Sequence, residues 1–264
     1  MTTISLLDSA MGSELIYRGE NLPPHIWSAH VNLNNPERVY QVHLDNIKAG
    51  AQTITANTFR TSPRAYVKTG LSIKSAEDKA KTSLFSAMQQ ANKAANKNIK
   101  VLGSIAPLED CYMPELFPGE EIAVSEFLQL GEWLKEANAD GIIIETMNSV
   151  AETRAALVAL SSLDLPIYVS FYLADSQHLG SGERLKSALS LVKNYPVTAV
   201  LLNCSPIDII SESIEEILAF WPGLWGLYPN LGVGNPSFDG IIKAICNDKI
   251  FLSLIHRAVN NGAT

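Results

Sequence analysis

Residues 141–145 read GIIIE, an unbroken β-branched run that ends directly in the carboxyl group of Glu145. Residues 167–171, IYVSF, and residues 199–203, AVLLN, are largely apolar in the same continuous way. Continuous apolar runs of this length are typical of parallel strands that helices cover on both faces, whereas a half-exposed strand alternates apolar with polar residues. These three segments therefore predict an α/β protein built on a parallel sheet.

Seven apolar segments alternate with longer amphipathic ones along the chain. The predicted strands are Ile4–Leu7, Thr53–Ala56, Lys100–Ile105, Gly141–Glu145, Ile167–Phe171, Ala199–Asn203 and Leu224–Tyr228. The predicted helices are Pro36–Ala49, Ser75–Ala95, Glu121–Asn138, Ser149–Leu160, Glu183–Lys193, Ser205–Ala219 and helices within Phe238–Asn260. This alternation fits a doubly wound sheet or a barrel, and seven units favour a TIM-type (β/α)₈ barrel. Because no linker or low-complexity tract interrupts it, we expect one domain over residues 1–264.

The spacing of the strands leaves the eighth βα unit of such a barrel outside the 264 residues. The predicted strands begin at a mean step of about 37 residues, so the next strand is due near residue 261. An eight-stranded barrel closes only with its eighth strand. Without it, the first and seventh strands each present an unpaired edge to which another chain can pair, which makes a homo-oligomer an open possibility.

The composition narrows the class of partner. Lys and Arg number 20 against 27 Asp and Glu, a net charge of −7, and no basic run offers a nucleic acid a local patch. Three widely spaced cysteines are not a disulfide framework. No uncharged apolar stretch reaches the roughly 20 residues of a membrane span, and the N-terminus lacks a basic start before its short apolar run. We therefore expect a cytoplasmic protein that binds neither nucleic acid nor membrane.

Polar side chains follow almost every predicted strand. Asp8, Asn57, Ser104, Glu145 and Cys204 each stand at or just after a strand end. Loops are polar in general, but in a barrel the strand C-termini form one rim where functional residues collect. Two carboxyl groups on that rim suit an ammonium group, or alternatively act as a general acid and base.

The five histidines are expected to be structural or solvated, because none follows a strand directly. They are His25, His30, His43, His178 and His256.

In chain order, these strand ends resemble the homocysteine S-methyltransferase family, which includes S-methylmethionine-dependent and betaine-dependent enzymes and a domain of cobalamin-dependent methionine synthase. The similar segments cover nearly the whole chain. They are Leu7–Leu15, Trp27–Ser28, Ala49–Ala51, Asn57–Phe59, Gly103–Pro107, Glu145–Met147, Ser170–Phe171, Asn203–Ser205 and Tyr228–Asn230.

The resemblance implies a TIM barrel that methylates the sulfur of homocysteine to give methionine, with S-methylmethionine or S-adenosylmethionine as the sulfonium donor. It implies that Asp8 and Glu145 hold the homocysteine ammonium group, with Asn57 and Ser104 as further substrate contacts. It also implies zinc, with Cys204 as one of three cysteine ligands. Zinc would keep the substrate sulfur as the reactive thiolate, and no other catalytic group is implied.

The chain departs from this family in one motif. The family's other two zinc cysteines are adjacent, in a GGCCGT motif at the eighth strand, and this chain has no Cys-Cys pair. Cys246 is expected on the core face of a helix, which leaves Cys111 as the candidate substitute ligand on the rim. Three interpretations stay open: further chain beyond Thr264, a shortened chain completed by oligomerisation, or a homologue that binds an amino acid at Asp8 and Glu145 without zinc chemistry.

A further hypothesis from the residues alone is an unrelated α/β-barrel enzyme that uses Asp8 and Glu145 as acid and base. Its rate should follow carboxyl titration and should not respond to chelators.

Overall fold

The computed structural model describes residues 4–232 and 246–264, and a six-stranded parallel sheet forms its centre. In sheet order the strands are β1 (Thr53–Ala56), β2 (Lys100–Ile105), β3 (Gly141–Met147), β4 (Ile167–Phe171), β7 (Val197–Pro206) and β8 (Leu224–Asn230). A small antiparallel hairpin, β5 (Leu173–Asp175) and β6 (His178–Leu179), follows β4. The α/β prediction is confirmed: the sheet is parallel and curled as in half of a barrel, so all carboxyl ends of its strands lie at one rim.

Helices connect these strands. They are α1 (Met11–Tyr17), α2 (Ala29–Asn34), α3 (Pro36–Lys48), α4 (Pro63–Val67), α5 (Ile73–Ala94), α6 (Glu120–Glu136), α7 (Val150–Leu160), α8 (Leu185–Val192), α9 (Ile207–Phe220) and α10 (Asp248–Asn260). None of the described helices is long and apolar enough to cross a membrane.

The start of α7 illustrates how the sequence ends one element and begins the next. Ser149 is its N-cap, and the Ser149 Oγ accepts a hydrogen bond from the backbone N–H of Glu152 at 3.3 Å. A Ser followed three residues later by Glu predicts a reciprocal capping box. Instead, the Glu152 carboxylate accepts from the backbone N–H of Leu108 at 2.8 Å. The Glu152 side chain thus anchors the loop after β2, which lies at the rim.

Strand β3 lies in the middle of the core. Ile142, Ile143 and Ile144 are each no more than 1% exposed, which contributes roughly 1.5–3 kcal/mol per side chain relative to exposure. On β2, a Cβ added at Gly103 would lie 2.5 Å from Leu134 Cδ2, so only glycine lets α6 approach this closely. Tight packing on both faces fixes the register that delivers Glu145 to the rim.

The prediction of a first strand over Ile4–Leu7 is wrong. Leu7 makes a single parallel bridge to Thr53, and no ladder extends from it. Ile4 and Leu6 are 44% and 53% exposed, so the run lacks the two-sided cover that holds the inner strands in place. The Leu6 carbonyl still accepts from the backbone N–H of Gln52 at 2.8 Å, which places Asp8 beside β1 at the rim.

The last predicted elements are only partly testable. Helix α10 confirms a helix within Phe238–Asn260, whereas residues 233–245 lie outside the described residues. Cys246 precedes α10 rather than lying on a described helix, and it packs half-buried against the core. After α10, the backbone N–H of Thr264 donates to the Trp225 carbonyl on β8 at 3.0 Å, close to the position where the strand spacing predicts an eighth strand.

Candidate active site

The carboxyl group of Asp8 lies buried at the rim beside β1. Its side chain is 3% exposed, and Oδ2 accepts a hydrogen bond from the backbone N–H of Thr55 at 2.9 Å. Burial, together with a smaller effect of the negative charge of Glu145, raises the pKa of Asp8 to about 8 despite the hydrogen bond from Thr55. The two carboxyl groups therefore interact electrostatically across one site.

The carboxyl group of Glu145 is held by two hydroxyl donors. Glu145 Oε1 accepts from Ser104 Oγ in a short hydrogen bond, and Oε2 accepts from the Tyr228 hydroxyl at 3.2 Å. Burial raises the pKa of Glu145, and these two hydrogen bonds oppose the rise. The structure thus brings Ser104 to Glu145, as the shared rim predicts.

Ser104 is itself fixed by the end of β1. Its backbone N–H donates to Thr58 Oγ1, and the Thr58 hydroxyl donates to the Ser104 carbonyl, both at 2.8 Å. Tyr228 also belongs to the candidate site, because its hydroxyl contacts Glu145. The sequence analysis did not assign it there. Its signal was present, because a hydroxyl-bearing side chain directly follows the apolar start of β8.

Cys204 lies near the carboxyl end of β7, with its backbone in the left-handed region at φ +53°. Its Sγ accepts from Asn203 Nδ2 at 3.2 Å and from Thr146 Oγ1 at 3.7 Å. Burial, with a smaller effect of the charge of Glu145, raises the pKa of the Cys204 thiol to about 12. The thiol therefore stays protonated at neutral pH in the absence of an added positive charge.

Asn203, the residue before Cys204 on β7, forms hydrogen bonds to β3 and β4. Its side chain is fully buried, and Oδ1 accepts from the backbone N–H of Thr146 at 3.1 Å and from Ser170 Oγ at 2.7 Å. Its Nδ2 also donates to Thr146 Oγ1 at 2.9 Å. Thr146 is left-handed as well, at φ +61°, an uncommon state for a β-branched residue. Asn203 therefore holds both strained rim residues in place.

The Asn57 side chain forms hydrogen bonds with Ser28, which precedes α2, and with Asn32 on α2. Its Oδ1 accepts from Ser28 Oγ at 2.6 Å, and its Nδ2 donates to the Ser28 carbonyl at 2.9 Å and to Asn32 Oδ1 at 2.8 Å. Both side-chain N–H groups are thus occupied. A substrate contact by Asn57 stays a prediction, while the geometry supports a role in joining α2 to β1.

His43 is a neighbour of Asp8 that the sequence analysis assigned to structure or solvent. It lies on α3, its side chain is fully buried, and its Nδ1 is 3.9 Å from Asp8 Oδ2. Neither ring nitrogen has a hydrogen-bond partner among the described residues. Burial lowers the pKa of His43 to about 4, so the ring is neutral at physiological pH.

The described residues offer few side chains that could bind a metal ion at the rim. Cys111 is buried in the loop after β2, and burial raises the pKa of its thiol to about 11. Among residues 4–232 and 246–264, no group of three or more His, Cys, Asp or Glu side chains could hold a metal ion. A protein zinc site takes at least three protein ligands. The described residues therefore do not fit zinc by themselves, and a metal role for Cys204 stays a prediction.

The arrangement suits a cationic ligand. Both carboxyl groups are buried, and the charge of Glu145 raises the pKa of Asp8, so a positive charge that binds beside them favours their ionised forms. An ammonium group would supply that charge.

Comparison with known proteins agrees on one family. A sequence profile described as Homocysteine S-methyltransferase matches residues 5–250. The chain is 30% identical over 261 residues to the homocysteine S-methyltransferase of Escherichia coli strain K12, covering 91% of this chain and 81% of that protein. It is 27% identical over 247 residues to homocysteine S-methyltransferase YbgG of Bacillus subtilis strain 168, covering 86% of this chain and 77% of that protein.

A solved structure is similar over the same length. The metallated form of the Escherichia coli homocysteine methyltransferase MmuM superposes with a TM-score of 0.79 at 29% identity, covering 88% of this chain and 85% of that one. Its apo form gives a TM-score of 0.71 at 27% identity, covering 86% and 82%.

Proposed function

Because the chain belongs to the homocysteine S-methyltransferase family, we propose that it transfers a methyl group from a sulfonium donor to the sulfur of homocysteine, giving methionine. The donor class is S-methylmethionine or S-adenosylmethionine. The observation that carries this proposal is the pair of buried carboxyl groups, Asp8 and Glu145, on the same rim as the thiol of Cys204.

The carboxyl pair binds the ammonium group of homocysteine. Both groups have raised pKa values because burial penalises their ionised forms. An incoming ammonium compensates this penalty, so the ionised carboxylates and the substrate stabilise each other. The hydrogen bonds from Thr55, Ser104 and Tyr228 fix the orientation of the carboxylates before the substrate arrives. A charge-assisted hydrogen bond of this kind contributes about 1.5–3 kcal/mol.

The methyl transfer itself asks for little acid–base chemistry from the protein. The sulfonium S–CH₃ bond breaks, the new S–CH₃ bond forms on homocysteine, and the donor leaves as a neutral thioether that needs no proton. The homocysteine thiol must lose its proton, because the thiolate is the nucleophile. A bound zinc ion would supply this activation. Cys204 is the ligand that we propose this chain would contribute, although no group of three or more His, Cys, Asp or Glu side chains among the described residues could hold a metal ion.

The direct test is methionine formation by zinc-replete protein given homocysteine and each sulfonium donor. We expect turnover by the wild type, loss of turnover in Cys204→Ser, and a homocysteine KM raised about tenfold or more in Glu145→Gln, since one charge-assisted contact is weakened. The proposal fails if neither donor yields methionine and Cys204→Ser behaves like the wild type.

A second candidate is an amino-acid-binding homologue without turnover. It is favoured by one observation: among residues 4–232 and 246–264, no group of three or more His, Cys, Asp or Glu side chains could hold a metal ion. This protein would bind homocysteine or methionine without zinc. Calorimetry on metal-free protein tests it, with Asp8→Asn expected to lose the binding. Absence of any binding by the wild type would exclude this candidate.

A further inference from the structure

The imidazole of His43 is an unexplained polar group inside the core. Its side chain is fully buried, and in the part of the chain that the structure describes both ring nitrogens lack a hydrogen-bond partner. Buried polar groups in native proteins are nearly always hydrogen-bonded, because leaving one unpaired is costly. Leucine at this position would avoid the cost. An unpaired histidine whose Nδ1 lies 3.9 Å from the Asp8 carboxyl group points to a partner that it contacts in another state of the protein.

The nearest polar group identifies that partner. His43 Nδ1 lies 3.9 Å from Asp8 Oδ2, which is too long for a hydrogen bond but within about 1 Å of one. Among the described residues, His43 is the one basic side chain within 4.0 Å of Asp8.

The charged side chains on the same helix are engaged on the protein surface. Glu37 pairs with Lys93, Arg38 with Glu20, and Asp45 with Arg18. From the sheet side, the charged group that acts on Asp8 is Glu145.

We propose that His43 is a positioning residue for Asp8: its neutral imidazole donates an Nδ1–H hydrogen bond to Asp8 Oδ2 once that carboxyl group is ionised against the substrate ammonium. This inference rests on the proposed function, because it assumes an amino-acid substrate at Asp8. In the ligand-free state Asp8 holds its own proton and makes little demand on a donor. Hydrogen bonds of a site are often long in the apo state and shorten in the complex.

A neutral donor is the suitable partner here. A protonated imidazole beside Asp8 would compete with the substrate ammonium for the same carboxylate. Burial lowers the pKa of His43 to about 4, so the ring stays uncharged at neutral pH and stabilises the carboxylate through a dipole. The Thr55 N–H already donates to the same oxygen, so His43 would complete a second contact on Oδ2.

The test compares two variants at this position. His43→Asn keeps an N–H donor close to the place of Nδ1, whereas His43→Leu removes the donor and keeps an apolar side chain. We expect His43→Leu to raise the calorimetric Kd for homocysteine and its KM about tenfold with kcat within twofold, and His43→Asn to restore most of the affinity. Thermal unfolding should show His43→Leu at least as stable as the wild type, which a purely structural role would not give.

A spectroscopic measurement on the wild type keeps the test independent of how the variants fold. The ¹⁵N resonance of His43 Nδ1 should shift on adding homocysteine while the ring stays neutral, and the shift should disappear in Asp8→Asn. Unchanged homocysteine affinity in His43→Leu, or no ligand-dependent shift of the wild-type resonance, overturns the inference.

The outcomes separate this inference from the proposed function. If the wild type binds homocysteine with the His43 dependence described but forms no methionine, the positioning role stands and turnover is wrong. If methionine forms and His43→Leu is indistinguishable from the wild type, the reverse holds. No binding of homocysteine by the wild type overturns both.

Discussion

At the scale of single residues, folding favours the protonated form of Asp8, whereas the proposed binding of an ammonium group needs the carboxylate. Its folded-state pKa of about 8 lies above the ordinary value of 3.8, because burial penalises the carboxylate. The folded protein therefore holds a proton that the unfolded chain releases. The resulting stability is fully present below the ordinary pKa and is lost as the pH rises through about 8.

We therefore expect Asp8→Asn to be more stable than the wild type at pH 8, by about 1 kcal/mol or more, and equal to it near pH 4. The amide can still accept from the Thr55 N–H, so the local geometry is kept. Urea unfolding at both pH values measures the difference. Asp78→Asn, at an exposed position on α5, is the control and should change stability by less than about 0.5 kcal/mol. A variant that is less stable at pH 8 would contradict this view of Asp8.

A second residue-scale prediction concerns Tyr228. Its hydroxyl donates to Glu145 Oε2, so Tyr228→Phe should weaken homocysteine binding roughly threefold to tenfold by removing one stabilising contact of the carboxylate. Calorimetry measures the change. Tyr17→Phe, at a tyrosine that is 86% exposed, serves as the matched control and should bind like the wild type. Equal affinities for both variants would place Tyr228 outside the binding site.

At the scale of elements, the rim depends on how β3, β4 and β7 are joined. Asn203 accepts from Thr146 on β3 and Ser170 on β4, and it donates to the neighbouring Cys204. The two left-handed residues it contacts, Thr146 and Cys204, each carry backbone strain of order 1 kcal/mol or more. Their conformations persist only because this buried amide and the surrounding strands fix them.

Asn203→Ala should therefore lower the free energy of unfolding by about 2–3 kcal/mol, since it leaves buried donors on Thr146 and Ser170 unpaired. Chemical denaturation measures the loss. Asn194→Ala, which removes a hydrogen bond to Ser190 at an exposed position, should cost far less. Similar losses in the two variants would mean that Asn203 does not organise the rim.

The inner strands could be predicted from sequence because local pattern and tertiary burial agree there. Ile142–Ile144 are β-branched and continuous, and the structure buries them on both faces. The segment Ile4–Leu7 is also mainly apolar, but Ile4 and Leu6 are about half exposed. It therefore forms one bridge instead of a strand. Hydrophobicity alone does not distinguish these cases, because cover from neighbouring helices decides between them.

The sequence also predicted part of the candidate site. Asp8, Glu145 and Ser104 follow from strand ends in a parallel sheet, which must share one rim. His43 does not, because its approach to Asp8 depends on how α3 packs against β1 and on no local signal. The partners of Asn57 on α2 depend on tertiary packing in the same way.

At the scale of the whole molecule, the net charge of −7 and the acidic rim suit a substrate that presents a cation. The homocysteine S-methyltransferase profile spans residues 5–250, and the fold superposes on a metallated relative over most of both chains. The family and the α/β fold therefore agree over most of the chain.

The most direct test of methyl transfer labels both the homocysteine and the transferred methyl group, and follows both labels into methionine. Zinc-replete protein is given ¹⁵N-homocysteine and a sulfonium donor with a ¹³C-labelled transferable methyl group, and the methionine formed is analysed by mass. We predict methionine that carries both labels, made by the wild type and absent with Cys204→Ser. Folded wild-type protein that makes no doubly labelled methionine from either S-methylmethionine or S-adenosylmethionine would contradict the account.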